Sequence, residues 1–193
     1  MEQIRSFIAV ELDQTLKWEL AGIQSRLQNP PRPWVKWVNP ENIHITLKFL
    51  GDIAADKVEA IKEVMRQAAS GVAPFTLKAE GLGVFPNDRK PQVIWVGLSG
   101  ETQRLAELQE KLEKRLEAIG FAAESRPFSA HLTLGRVRRE ALPQQRQDIG
   151  RLAATMGCCA SSQIAVDAIC LMESQLTPGG AIYSRLAVAP LLG

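Results

Sequence analysis

Histidine, cysteine and long apolar runs are all scarce in this chain. Its 193 residues include two histidines, His44 and His131, and three cysteines. Cys158 and Cys159 are adjacent, Cys170 stands apart, and no C-x-x-C occurs. An odd thiol count without that spacing excludes a disulfide framework and a zinc knuckle. Two histidines without a third ligand make a poor zinc site, so neither metal nor other cofactor is expected. The thiols read as buried or incidental groups in a reducing compartment. No apolar run approaches the roughly 20 residues that span a bilayer. The start, Met1-Glu2-Gln3-Ile4-Arg5, lacks the basic-then-apolar pattern of a secretory leader. The expectation is a cytoplasmic protein with no membrane partner.

Charge is also modest. A formal net charge of +2 is too small to name nucleic acid as a partner. The arginines are uneven, however. Arg126, Arg136, Arg138, Arg139, Arg146 and Arg151 fall in one short region and offer an anion-attracting face, or simply a solvated one. With 14 Gly and 11 Pro, collagen-like and long disordered tracts are excluded. The length suits one domain over 1–193, built as two small lobes around a shared core.

Hydrophobic periodicity places the elements. Residues 4–12 read as a strand, and Asp13 caps a helix carrying Leu16, Leu20, Ile23 and Leu27 at helical spacing. Pro30, Pro31 and Pro33 stop it. Strands follow at 34–38 and 43–50, a helix at 54–69, and strands at 74–84 and 92–98. The clearest helix, 101–119, carries Leu105, Leu108, Leu112, Leu116 and Ile119, with Gly120 just past its end. A strand at 128–137, a helix near 143–156, and strands at 163–173 and 181–188 complete the chain. The class is α+β.

The order repeats. Strand, helix, strand, helix, strand fills the first half, and a similar order begins at Gln92. Positions 44 and 131 are 87 residues apart. Moved back by that interval, helix 101–119 falls on 14–32 and strand 92–98 on 5–11. Two pseudo-symmetric lobes are expected, each of antiparallel strands with helices packed outside, and a cleft between them.

The two histidines sit in His44-Ile45-Thr46-Leu47 and His131-Leu132-Thr133-Leu134. In a strand, alternate side chains share a face, so His44 joins Thr46 and His131 joins Thr133, while the intervening apolar residues anchor the other side. Two such strands in contact would line a pocket with two imidazoles and two hydroxyls. One imidazole can accept a proton from a nucleophile while the other, protonated, gives one to a leaving oxygen. Threonine hydroxyls can hold the non-bridging oxygens of a phosphoester. From chemistry alone the two histidines are interchangeable.

These motifs and their flanks resemble the two-histidine phosphoesterases, and within them the RNA 2′,3′-cyclic phosphodiesterases, also called LigT-like or 2′-5′ RNA ligase proteins. Arg5-Ser6-Phe7-Ile8-Ala9-Val10 resembles that family's opening strand, and Asn42 to Gly51 its first motif with flanks. Gly83-Val84-Phe85-Pro86 with Val93 to Gly97 is similar to its middle section, and Phe128 to Arg136 to its second motif. Leu171 to Tyr183 is similar to its closing hairpin. The resemblance implies metal-independent hydrolysis of RNA 2′,3′-cyclic phosphate ends to 2′-phosphomonoesters, with reversible 2′-5′ RNA ligation as a further activity. It implies His44 as proton donor, His131 as proton acceptor, and Thr46 and Thr133 on the phosphate.

Arg136 is a further binding candidate. Strict alternation turns it away from His131 and Thr133, so it reaches the phosphate only if Gly135 permits a bulge. Phe7 is a candidate to stack on a base or ribose, or a core residue; Tyr183 is a further substrate-binding candidate. The expected partner is RNA ending in a 2′,3′-cyclic phosphate, or a cyclic nucleotide phosphate, bound by a monomer. The rival readings are action on another phosphodiester and a non-catalytic nucleotide or RNA-end binding module.

Overall fold

The computed structural model describes residues 3–193 except 158 and 179, and the side chain of Cys159 is likewise not described. Cys158 therefore lies outside the described residues. Nine strands and four α-helices follow the chain in this order: β1 (Gln3–Val10), α1 (Gln14–Leu27), β2 (Val35–Trp37), β3 (Ile45–Ala54), α2 (Val58–Ala69), β4 (Phe75–Phe85), β5 (Val93–Gly100), α3 (Thr102–Ala118), β6 (Leu132–Val137), α4 (Pro143–Thr155), β7 (Cys159–Val166), β8 (Ala168–Thr177) and β9 (Gly180–Pro190). Asp13 caps α1 as its sequence suggests, accepting from the Leu16 amide at 2.8 Å. Gly120 takes the positive φ of 95° that ends α3.

Three anticipated strands need correction. The strand anticipated at 163–173 is two strands broken at Asp167. The strand anticipated at 128–137 begins only at Leu132, and that anticipated at 43–50 begins at Ile45. Each histidine thus stands immediately before its strand rather than within it. Each imidazole is held by a carbonyl two residues upstream, and this local turn takes the residue out of the ladder.

All strands join one antiparallel sheet in the order β7-β4-β5-β6-β3-β1-β8-β9, with β2 also on β6. The order is a palindrome about the β6–β3 boundary: the 87-residue interval carries β1 onto β5 and β3 onto β6. The outer strands are exchanged. β4, from the first half, flanks β5, whereas β8, from the second half, flanks β1. Helices are exchanged too: α1 packs on β7 and α4 on β4, while α2 packs on α3, β8 and β9. β7 and β8 lie far apart in the sheet order yet are joined through Asp167 alone. Since consecutive Cα atoms are about 3.8 Å apart, the sheet must curl until these outer strands meet.

The lobes share one large core. Leu16, Leu20, Ile23 and Leu27 of α1 and Leu105, Leu108, Leu112 and Leu116 of α3 all enter it, as do Ile45, Leu47, Leu132 and Leu134. A second cluster, Phe7, Ala9, Cys170 and Met172, lies apart from that core, with Tyr183 against it. β1 is thus covered on both faces.

Matching bulges mark β3 and β6. Opposite β1, Thr46 pairs with Ala9 and Lys48 with Ile8, passing over Leu47. Opposite β5, Thr133 pairs with Trp95 and Gly135 with Ile94, passing over Leu134. In each strand two successive residues then face inward: Leu47 and Lys48, Leu134 and Gly135. The next residue, Phe49 or Arg136, faces out.

Candidate active site

The two His-x-Thr motifs meet where Ile45 pairs with Leu132, antiparallel. One residue along in each direction, that register sets His44 across from Thr133 and Thr46 across from His131. All four line one cleft of about 440 Å³. The apolar partners Ile45, Leu47, Leu132 and Leu134 are buried on the other side.

The imidazoles are oriented alike. His44 Nδ1 lies 2.8 Å from the carbonyl of Asn42, and His131 Nδ1 lies 2.7 Å from that of Ser129. A carbonyl can only accept, so each Nδ1 carries the hydrogen. Nε2 is left to take or give a proton at the cleft. Each ring also has two aromatic neighbours. Phe7 stacks on His44 at 4.6 Å and Tyr183 meets it edge-on at 5.4 Å. Phe85 meets His131 edge-on at 5.1 Å, with Trp95 at 6.5 Å. Gly83 makes room for Trp95: a Cβ there would stand 2.3 Å from the indole.

Burial is the first cause that holds the His44 pKa below its ordinary value; the Asn42 carbonyl and Glu11 oppose it, and His131 adds to it. Tyr183 is raised, again first by burial, so its phenol stays neutral and can donate a hydrogen bond. Among the described residues no group of three His, Cys, Asp or Glu side chains is placed to hold a metal ion. Cys170 is a free buried thiol whose pKa is pushed up to about 12, first by burial and then by Glu11. It is an unreactive core group.

Arg136 lines the cleft with His131 and Thr133. The bulge at Leu134 reverses the alternation that would otherwise turn it away. Gly135 suits that bend, since a Cβ there would come within 3.0 Å of Trp37 and Val35. Of the two readings of Phe7 the structure favours the core one: it is 3% exposed and stacks on His44, though it lines the cleft. The open ring in the cleft is Phe49, 58% exposed. Phe49 escaped the sequence reading, although the same 87-residue interval relates it to Arg136. Arg5, Asn42 and Ser6 line the cleft as well. Ser6 is buried with no hydrogen-bond partner for its hydroxyl among the described residues.

Two buried glutamines support the motifs. Gln24 of α1 donates to the carbonyls of Leu134 and Val38, each at 2.8 Å. Gln109 of α3 donates to the carbonyl of Leu47 at 3.4 Å. The helix of one half thus serves the bulge of the other. The six arginines expected as one face divide: Arg136, Arg139 and Arg146 line a neighbouring groove, Arg138 donates to Pro33, Arg151 pairs with Asp148, and Arg126 is exposed in the bend before β6.

Comparison with known proteins matches this arrangement. The family model described as LigT like phosphoesterase fits the chain twice, over residues 10–95 and 96–183. A protein named RNA 2′,3′-cyclic phosphodiesterase from Methanothermobacter thermautotrophicus is 36% identical over 186 residues, covering 96% of this chain and 98% of its own. One of the same name from Archaeoglobus fulgidus is 33% identical, covering 96% and 99%. A crystal structure from Thermus thermophilus shares the fold with a TM-score of 0.79 at 26% identity, covering 97% of this chain and 98% of that one.

Proposed function

The chain belongs to the LigT-like phosphoesterase family, and on that premise we propose that it hydrolyses RNA 2′,3′-cyclic phosphate ends to 2′-phosphomonoesters without a metal ion. The observation that carries this reading is the paired Nδ1-to-carbonyl bonds, which leave both Nε2 atoms free for proton transfer in one cleft.

In this reading Thr46 and Thr133 donate to the non-bridging oxygens, with Arg136 as counter-charge. His131 Nε2 takes a proton from water as its oxygen bonds to phosphorus. The bond from phosphorus to the 3′ oxygen breaks on the opposite side, and protonated His44 gives that oxygen its hydrogen. The product keeps the 2′ ester. Proton exchange with solvent restores both rings; with the 5′ hydroxyl of a second RNA in place of water, the same displacement makes a 2′-5′ bond. Which ring is acid rests on the family resemblance; burial favours neutral His44 in the free protein, and an arriving phosphate anion favours its protonated form. Every group assigned comes from one chain, so a monomer suffices. The free thiol of Cys170 suits a cytoplasmic protein.

The test is product analysis on a short RNA ending in a 2′,3′-cyclic phosphate, using wild type, His44→Ala and His131→Ala, with EDTA present. The expected result is a 2′-phosphate from wild type alone. A 3′-phosphate product, a strict divalent-metal requirement, or full activity in either variant overturns it. Tight binding without cleavage by wild type would identify a binding module instead.

A further inference from the structure

A 2′,3′-cyclic phosphate ends its strand, so only one stretch of RNA can leave the cleft, from the 5′ oxygen of the terminal nucleoside. Beside the cleft lies a groove of about 920 Å³, lined by Arg89, Lys90, Gln92, Arg136, Arg139 and Arg146 among others. Arg136 is common to both linings, so the groove adjoins the cleft across this one side chain. Another neighbouring groove, of about 990 Å³, also reaches Arg136 but has Lys36 as its only other cation and includes Trp37, Leu176 and Ile182. Charge therefore distinguishes the two.

The basic groove is built rather than incidental. Asn87 Oδ1 accepts from the amides of Arg89 and Lys90, fixing the turn that carries both side chains. Gly150 lets α4 press onto that turn, since a Cβ there would lie 2.1 Å from the Asp88 carbonyl. The Arg146 guanidinium is spent on structure, donating to the carbonyls of Pro91, Arg138, Arg139 and Ala141. Pro143 and Gln147 bring the amino-terminal end of α4 to the groove, and that end favours anions. By contrast Arg89, Lys90, Arg136 and Arg139 are exposed and enter no ion pair among the described residues. Four uncommitted cations on a fixed frame, opening into a phosphate-binding cleft, match the repeating charge of a polynucleotide backbone.

We infer that this groove holds the backbone phosphates of the RNA strand upstream of the cyclic end, so that the substrate is an oligonucleotide rather than a mononucleotide. The inference rests on the cyclic phosphodiesterase reading but is tested apart from it. The variant is the triple substitution Arg89→Ala, Lys90→Ala and Arg139→Ala, which leaves Arg136 and Arg146 in place. Turnover is measured on an RNA of about eight nucleotides ending in a 2′,3′-cyclic phosphate, and on cytidine 2′,3′-cyclic phosphate. Binding of the same oligomer ending in a 2′-phosphate and labelled at its 5′ end is followed by fluorescence anisotropy.

Wild type is expected to prefer the oligomer in kcat/KM. The triple variant should lose about 10- to 100-fold on the oligomer and in its binding. The slope of log affinity against log salt should become shallower by about 2, for three lost contacts to a single strand. Activity on the cyclic mononucleotide should stay within about twofold of wild type. Equal loss on both substrates, no wild-type preference, or unchanged oligomer affinity in the variant overturns the groove assignment. If wild type cleaves neither substrate but the variant still loses RNA affinity, the cyclic phosphodiesterase reading falls and the groove stands.

Discussion

The side-chain amide nitrogen of Gln24 lies 2.8 Å from the carbonyl oxygen of Leu134, a residue 110 positions away. Leu134 is the residue passed over by the β5–β6 pairing, so its carbonyl depends on partners outside that ladder. The Val38 amide supplies one at 2.9 Å, and Gln24 supplies the other from the core. The same bulge turns Arg136 toward the cleft.

Replacing Gln24 with alanine therefore leaves a buried carbonyl under-satisfied, at a cost of about 1–3 kcal/mol. Thermal unfolding should register this loss. Because the bulge carries Arg136, KM for the cyclic-phosphate RNA should rise more than kcat falls. An unchanged KM in a folded Gln24→Ala protein would separate the glutamine from the site.

Substituting either histidine with alanine should lower kcat by about 10²- to 10⁴-fold, the usual worth of a positioned acid or base. The double variant should be little worse than the poorer single variant, since the two rings act in one step. Single-turnover product formation checks this, with circular dichroism confirming the fold. Losses that simply multiply would mean that the rings act independently.

The pH profile follows from His44. Its pKa in the free protein lies below the ordinary 6.5, first because the ring is buried. In the acid role proposed for it His44 must be protonated, so kcat/KM should fall as pH rises through that depressed value, with an optimum on the acid side of neutrality. The bound phosphate anion raises the pKa, so the alkaline limb of kcat stands at higher pH than that of kcat/KM. An alkaline optimum for kcat/KM would reverse the roles of the two rings. Stability obeys the same linkage: the unfolded chain binds the extra proton, so the contribution of the neutral ring is full above the ordinary value and lost as pH falls through the depressed one.

Lys48 is 4% exposed, and its ammonium lies 2.6 Å from Glu113 and 2.7 Å from the Ala122 carbonyl. Lys48→Ala takes the counter-charge from Glu113, which keeps hydrogen bonds from the Glu124 amide and Gln109, and should cost about 3 kcal/mol in denaturant unfolding. The double change Lys48→Met and Glu113→Leu should cost much less, because it removes both charges together. A double variant as unstable as the single one would show that packing, not the pair, sets the loss.

Much of this arrangement is legible in the sequence, for local reasons. Alternation predicts that His44 and Thr46 share a face, and helical spacing predicts the leucine stripes of α1 and α3. What escapes depends on long-range pairing. Nothing local shows that Leu47 and Leu134 will be passed over, hence that Lys48 turns inward and Phe49 outward. Gln24 and Gln109 look like ordinary helix residues until the carbonyls they serve are known. Phe7 is ambiguous because an apolar strand residue gives no sign of whether its second face is covered.

The exchange of outer strands has a consequence for synthesis. Each lobe contains pieces of both halves, so the first half cannot finish its own sheet when it leaves the ribosome: β1 must wait for β8. Both His-x-Thr motifs are complete in sequence at Thr133, but the ring that flanks His44 from β9, Tyr183, arrives last. β3 and β6, which follow the two histidines, come from different halves, so neither half holds both imidazoles. The family model likewise matches the halves one after the other, over residues 10–95 and 96–183.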